Sequence, residues 1–235
     1  MIPRILHYCW FGTKPMDSRM RRWMDGWEKV CPGFTVMHWD ERNSPIEAND
    51  YVRQAFEAKK WAFVADYVRL WALWEHGGIY VDTDVELLQS LDSLLVFSGV
   101  MGFESAERIG TAFIAAKPRH ALIGKLLEDY DHIPFALEDG SFDETTNVKR
   151  ITQECVRRGL RLDGTRQSVS DMEIFPQEWF SPMDLTTGKL CVTQDSCAIH
   201  HFNASWMSAS QRRNTKLAQM LGPRWTARIK GWLGR

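Results

Sequence analysis

The sequence predicts an α/β fold, a mostly parallel sheet with helices on both faces. Three observations carry that expectation. Strand-like apolar runs alternate along the chain with amphipathic helical runs, the order that winds a parallel sheet. The 235 residues suffice for one sizeable core and are few for two independent domains. No internal repeat or low-complexity linker divides them.

The elements follow in order. "RILHYCWF" reads as a buried first strand, and "SRMRRWMDGWEKVCPG" as a helix stopped by Pro32 and Gly33. "FTVMHWD" is a second strand, followed by the polar turn "ERNSP" and a helix from about Ile46 to Lys60. From Trp61 to His76 the apolar residues Trp61, Val64, Val68 and Trp71, with Leu70, Leu73 and Trp74, recur at helical spacing, and Gly77-Gly78 supplies a left-handed stop. "IYVDTDVELL" then reads as a central strand. "VFSGVMGFES" and "GTAFIAAKP" are further strands, followed by a helix from about His120, a polar region from Glu138 to Asn147, another helix, and short strands near Cys191 to His201.

Composition excludes several classes. A content of 44% hydrophobic and 25% charged residues, with a formal net charge of -1, is that of an ordinary globular protein and not of a nucleic-acid-binding polycation. Cys9, Cys31, Cys155, Cys191 and Cys197 are scattered, odd in number and without a C-x-x-C pair, so reduced thiols are expected instead of a disulfide framework or zinc knuckle. The opening "MIPRILHYCWFG" is too short and too polar for a signal peptide, and no run approaches about 18 apolar residues. A cytoplasmic chain that does not span a membrane is the expectation. The 11 tryptophans suit a core, and also the rims of sites that stack on sugars and bases.

Two pairs of residues point to chemistry. Asp66 and Arg69, three apart on a helix, share a face, either as a weak surface ion pair or as a polar pair aimed into a cleft. Asp82 and Asp84 alternate around Thr83, so on a strand both carboxylates point to one face. They would repel each other unless a cation lay between them, and oxygen ligands favour Mg or Mn over zinc. The competing readings are solvated turn residues or a helix cap. D-x-D alone is a weak signal.

"IPRILHYCWFG", "WAFVADYVRLWALWEHGGIYVDTDV" and "AIHHFNASW", in that order, resemble glycosyltransferase family 32, the DXD-containing sugar transferases that include capsular-polysaccharide and mannosyl-type enzymes. The resemblance spans about residues 1 to 206. It implies a GT-A-type, Rossmann-like fold over residues 1–207, a nucleotide-sugar donor (UDP- or GDP-sugar), a Mn2+ or Mg2+ ion, and transfer with retention of configuration. Trp10 resembles the aromatic that stacks on the nucleotide base, although a strand-end Trp is also an ordinary core residue. Asp66 and Arg69 match the family's SD-x-x-R pattern, with Ala65 in place of the usual serine, and would hold sugar and ribose hydroxyls. Asp82 would contact ribose or sugar and assist the ion, and Asp84 would bind the metal directly. His200 resembles the remaining metal ligand, with Ser205 and Trp206 at the phosphates and Asn203 adding a contact to ion or phosphate. As a local pattern the His200-His201 pair also fits a satisfied core pair, and His201 is the weaker candidate. "GTAFIAAKPRH" resembles the strand beside the acceptor cleft, and "DETTN" (Asp143 to Asn147) lies where sugar or acceptor contacts come from.

Glycosyl transfer needs its leaving group stabilised as the anomeric bond breaks. The resemblance implies an ion assisted by Arg69 and Trp206 for that purpose, with Asp82, Asp84 and Arg69 as the catalytic set. Its acceptor would be a glycan or lipid-linked saccharide of surface polysaccharide synthesis. Two rival classes remain: a metal-dependent phosphohydrolase, which would need a nucleophile or second acidic cluster, and a catalytically silent sugar-binding module, which an intact Asp66, Arg69, Asp82, Asp84 and His200 set disfavours. Residues 208–235 hold seven Lys or Arg, no acid, and apolar residues at helical spacing, including Trp225, Ile229 and Trp232. This basic amphipathic segment suits either the anionic inner face of a membrane, as a peripheral anchor, or packing on the domain with a solvated basic face.

Overall fold

The computed structural model describes residues 1–184 and 187–202. Asn203, Ser205, Trp206 and the basic segment 208–235 lie outside the described residues. The elements are β1 (Ile5–Cys9), α1 (Ser18–Val30), β2 (Thr35–Trp39), α2 (Asp50–Glu57), α3 (Trp61–His76), β3 (Gly78–Val81), β4 (Val85–Leu87), β5 (Gly99–Ser105), β6 (Arg108–Ile109), β7 (Phe113–Ala116), α4 (Ala121–Glu128), α5 (Asn147–Arg157), β8 (Gln167–Val169), β9 (Met172–Phe175) and β10 (Ala198–His200).

The main sheet runs β2-β1-β3-β7-β5-β9-β8, with β6 on β5, and β4 pairs with β10 in a separate ribbon. β1 is parallel to both β2 and β3, and β5 is parallel to β9. Between them β7 runs antiparallel to β3 and to β5, so β1, β2, β3, β5 and β9 share one direction. The sheet is mixed, with five strands sharing one direction, as expected of a mostly parallel sheet, and β6, β7 and β8 reversed.

Strand alternation sorts the core into two faces. On β3, Ile79 and Val81 join one cluster with Trp27 of α1, Val85 of β4 and Ala198 of β10; Tyr80 joins the other, with α2, α3, α4 and α5. β7 repeats the split, with Phe113 and Ala115 on the first side and Ile114 and Ala116 on the second. Helices therefore cover both faces. Among the described residues no helix is long and apolar enough to cross a membrane.

Three boundaries differ from the sequence reading. The helix expected over 46–60 begins only at Asp50, because the Asn49 side chain accepts the Val52 N–H (3.1 Å), and it breaks before α3 at Lys59, which has φ 55°. The β8–β9 hairpin was not legible: its turn residues Ser170 and Asp171 adopt φ 50° and 62° without glycine, so the usual Asn-Gly or Asp-Gly signature is missing. The strand read through "IYVDTDVELL" stops at Val81.

Gly77 and Gly78 do end α3, and geometry shows why both are glycine. They have φ 63° and 107°, and a Cβ would lie 2.5 Å from the Pro118 ring at the first and 2.7 Å from the Ile5 carbonyl oxygen at the second. The turn feeds β3 directly beside β1.

Candidate active site

Helix α3 carries the first pair. Its apolar positions pack against the sheet and the neighbouring helices, and Asp66 and Arg69 lie on that inward face, 8% and 5% exposed. The surface-pair reading is therefore wrong. Arg69 Nη2 sits 3.1 Å from Asp66 Oδ1 and 3.5 Å from Asp82 Oδ1; Nη1 donates to the Thr111 carbonyl (2.7 Å), and the guanidinium lies 4.7 Å from the centre of the Tyr80 ring. Burial alone would lower the Arg69 pKa, but Asp82, Tyr80 and Asp66 outweigh it, so the group is firmly cationic. Asp66 is raised by burial, against the pull of Arg69 and of the Asn147 N–H, which donates to Oδ2 at 3.1 Å.

The aspartates of D-x-D converge by a turn and not by strand alternation. After Val81 the chain folds back, with the Asp82 N–H donating to Ala112 O (2.9 Å) and the Val85 N–H to Asp82 O (3.0 Å). The Tyr80 hydroxyl donates to Asp82 Oδ1 at 2.9 Å. Beyond the turn, β4 pairs antiparallel with β10, placing His200 opposite Val85. His200 Nε2 then lies 3.4 Å from Asp84 Oδ1, and the His201 N–H donates to Asp84 O (3.0 Å). One ligand atom from each of Asp82, Asp84 and His200 falls within 4.8 Å of the others.

This set fits a hard divalent ion. With metal–oxygen bonds of about 2.0 to 2.6 Å, donors on opposite sides of an ion lie roughly 4 to 5 Å apart. Burial would lower the His200 pKa, but Asp84, then Asp82 and Glu104, raise it above its ordinary value; the surroundings select positive charge there. His200 Nδ1 is buried without a hydrogen-bond partner among the described residues.

Other expected residues separate. Trp10 is half-buried just past the end of β1, in a hollow with Tyr8, Met16, Arg21, Met24 and Asp25. Because β1 and β3 are parallel, Trp10 and Asp82 share one sheet edge, the usual ligand side of such a sheet. His201 does not face the cluster; it bonds Glu86 Oε2 (2.8 Å) and stacks on Trp23 with ring centres 4.0 Å apart. Within "DETTN", Asp143 pairs with Arg150 (2.5 Å), and Asn147 braces Asp66, donating from Nδ2 to its carbonyl (2.7 Å) while accepting from the Tyr130 hydroxyl (2.7 Å). Glu104, 8% exposed at the end of β5, was not singled out by any local pattern.

Comparison with known proteins bears on this arrangement. Residues 17–100 match the family described as "glycosyltransferase sugar-binding region containing DXD motif". The chain is 27% identical over 222 residues to an uncharacterized glycosyltransferase of Acanthamoeba polyphaga mimivirus, covering 88% of this chain and 84% of that protein. It is 27% identical over 139 residues to a mannosyl phosphorylinositol ceramide synthase of Saccharomyces cerevisiae, covering 56% of this chain and 35% of that one. It is 34% identical over 70 residues to the lactosylceramide 4-alpha-galactosyltransferase of Homo sapiens, 29% of this chain and 19% of that one. The chain thus spans most of the viral relative, little more than a third of the yeast one and about a fifth of the human one. Among solved structures, the PaToxG glycosyltransferase superposes with a TM-score of 0.52 at 20% identity, over 66% of this chain and 69% of that one, a likeness of fold.

Proposed function

We propose, from the premise that this chain is a GT-A-type glycosyltransferase with a DXD sugar-binding region at residues 17–100, that it moves a hexose from a UDP- or GDP-sugar to a lipid-linked or glycan acceptor, with retention, using a divalent ion. The observation that carries this reading is the convergence of Asp82, Asp84 and His200 beside the buried Arg69. DXD glycosyltransferases in general use a divalent metal and a nucleotide-sugar donor.

Asp84 and His200 would hold the ion, Mn2+ or Mg2+, with Asp82 completing or bracing the set. When bound, the ion supplies countercharge for the diphosphate leaving group. The chain's own residues do the rest. Arg69, kept cationic and locked by Asp66 and the Thr111 carbonyl, presents fixed positive charge at the same edge, which stabilises charge developing on the leaving oxygens without reorganisation. Tyr80 orients Asp82 through its hydroxyl, and Asn147 orients Asp66. Trp10 offers a ring for the nucleotide base, while Asn203, Ser205 and Trp206, which the family resemblance assigns to the phosphates, lie outside the described residues. Arg69, Asp82 and Asp84 are the catalytic set.

The acceptor reading draws on the relatives: the yeast and human proteins are both named for ceramide glycolipids, which supports a lipid-linked acceptor here. A role in surface polysaccharide assembly, at the inner face of a membrane reached through residues 208–235, accords with that. The test is release of nucleoside diphosphate from UDP-glucose, UDP-galactose, UDP-N-acetylglucosamine and GDP-mannose, with Mn2+ and with EDTA. Release from at least one donor, dependent on metal, is expected. No release from any donor, or equal release in EDTA, would overturn the reading.

A further inference from the structure

Glu104 is a buried carboxylate with an unusual lack of partners. It is 8% exposed, yet among the described residues no side chain or N–H makes a hydrogen bond or ion pair with it. Its carboxylate oxygens are not among the sealed atoms that lack a partner, so they reach the solvent side, where donors from a ligand can meet them. Its backbone is irregular as well: β5 pairs Phe103 with Ile109 and Ser105 with Arg108, so Glu104 is the extra residue of a β-bulge. Bulges re-aim a side chain, and they gather beside functional sites.

The three residues Gly110, Thr111 and Ala112 tie this bulge to the candidate active site. The Gly110 N–H donates to Gly102 O (2.8 Å), and a Cβ at Gly110 would come within 3.2 Å of the Glu104 Cβ. The next residue, Thr111, receives Arg69 Nη1 (2.7 Å), and the one after, Ala112, receives the Asp82 N–H (2.9 Å). With successive Cα atoms about 3.8 Å apart, the bulge, Arg69 and Asp82 are neighbours along one short strip. Burial raises the Glu104 carboxyl, and the charges of His200, Arg108 and Asp82 all reach it. It nevertheless stands outside the Asp82–Asp84–His200 ligand set.

A carboxylate in that position, beside the ion site but not in it and without a hydrogen-bond partner among the described residues, is free to accept from a ligand hydroxyl. We propose that Glu104 accepts a hydrogen bond from a hydroxyl of the transferred sugar and so determines which hexose is used. This rests on the nucleotide-sugar reading above. A side chain at Gly110 would crowd the Glu104 Cβ at 3.2 Å, so the glycine lets the bulge keep its shape.

The experiment compares the full chain with Glu104→Gln and Glu104→Ala. Binding of UDP and GDP with Mn2+ is measured by calorimetry, and kcat/KM for hydrolysis with the best donor of the panel and its monodeoxy analogues. Both variants should bind the nucleoside diphosphate within about twofold of wild type. Glu104→Ala should lose roughly 10- to 100-fold in kcat/KM, the scale of a hydrogen bond to a charged group. One deoxy analogue should be turned over about tenfold or more less well than its parent by wild type, and almost equally by Glu104→Ala. Unchanged kcat/KM in both variants would overturn the role. So would a loss of Mn2+-dependent diphosphate affinity as large as the loss in turnover, which would make Glu104 part of the ion site. If wild type itself used no donor, the nucleotide-sugar reading would fall first and this role with it.

Discussion

Arg69 Nη2 bridges two carboxylates, lying 3.5 Å from Asp82 Oδ1 on the turn after β3 and 3.1 Å from Asp66 Oδ1 one turn earlier on its own helix. One buried cation thus compensates acids from two elements, and removing it leaves each with only its neutral hydrogen-bond donor close by, Asn147 N–H for Asp66 and the Tyr80 hydroxyl for Asp82. Arg69→Met should destabilise the protein by about 3 kcal/mol at neutral pH, as expected when a buried pair is broken from one side. The cost should shrink in acid, because burial raises Asp66 and makes it take up a proton sooner than an ordinary carboxylate as pH falls. Urea denaturation at neutral and at acid pH checks this; a loss under about 1 kcal/mol at neutral pH would show that the acids find other donors.

His7 predicts an acid limb in stability. Its Nε2 bonds the Gly77 carbonyl (2.7 Å), while Nδ1 faces the Trp39 indole N–H at 3.1 Å, so the ring is held as the neutral Nε2–H tautomer. Burial, with a smaller push from His76, lowers its pKa from 6.5 to about 4. The folded pKa lies below the unfolded one, so this contribution is complete above about pH 6.5 and is lost as pH falls toward 4, some 3 kcal/mol in all. Wild type should show that decline in urea midpoints between pH 7.5 and 4.5, and His7→Gln a flatter profile from a lower start. Parallel profiles would contradict it.

Much of this was legible in the sequence, and the failures have physical causes. Helical spacing from Trp61 to His76 and the Gly-Gly stop gave α3 its true bounds, because Gly77 and Gly78 occupy backbone space that no side chain can share. The convergence of Asp82 and Asp84 was foreseen for the wrong reason: alternation along a strand was assumed, and a turn does it. The depth of Asp66 and Arg69 was not legible, since i,i+3 spacing is the same on a buried face and an exposed one. Glu104 was missed because its meaning arises from a bulge and from a strip of chain that joins it to Arg69 and Asp82.

Trp10 separates base stacking from core packing. It is half-buried, and its indole N–H donates to the Lys14 carbonyl at 2.9 Å instead of into the core. Trp10→Ala should weaken UDP or GDP binding with Mn2+ by about 1 to 3 kcal/mol, the cost of a lost base–aromatic stack. Calorimetric affinity alongside thermal unfolding checks it. A large stability loss with unchanged affinity would return Trp10 to a packing role.

The segment 208–235, outside the described residues, tests membrane attachment. If its seven basic residues act at a lipid surface, the chain should sediment with anionic vesicles and release as salt shortens the Debye length below about 8 Å. Neutral vesicles should bind less, and truncation before Pro223 should abolish binding while sparing donor hydrolysis. Indifference to anionic vesicles at low salt would contradict the attachment.

The most direct test of the metal-dependent donor site compares UDP and GDP binding by wild type and Asp84→Ala, each with Mn2+ and with EDTA, alongside thermal unfolding of both proteins. The cluster of Asp82, Asp84 and His200 within 4.8 Å predicts wild-type affinity at least about tenfold higher with Mn2+, a loss of that difference in Asp84→Ala, and an intact fold whose stability is equal or higher once the carboxylate repulsion is removed. Equal wild-type affinity in Mn2+ and EDTA, or an undiminished Mn2+ effect in Asp84→Ala, would contradict it.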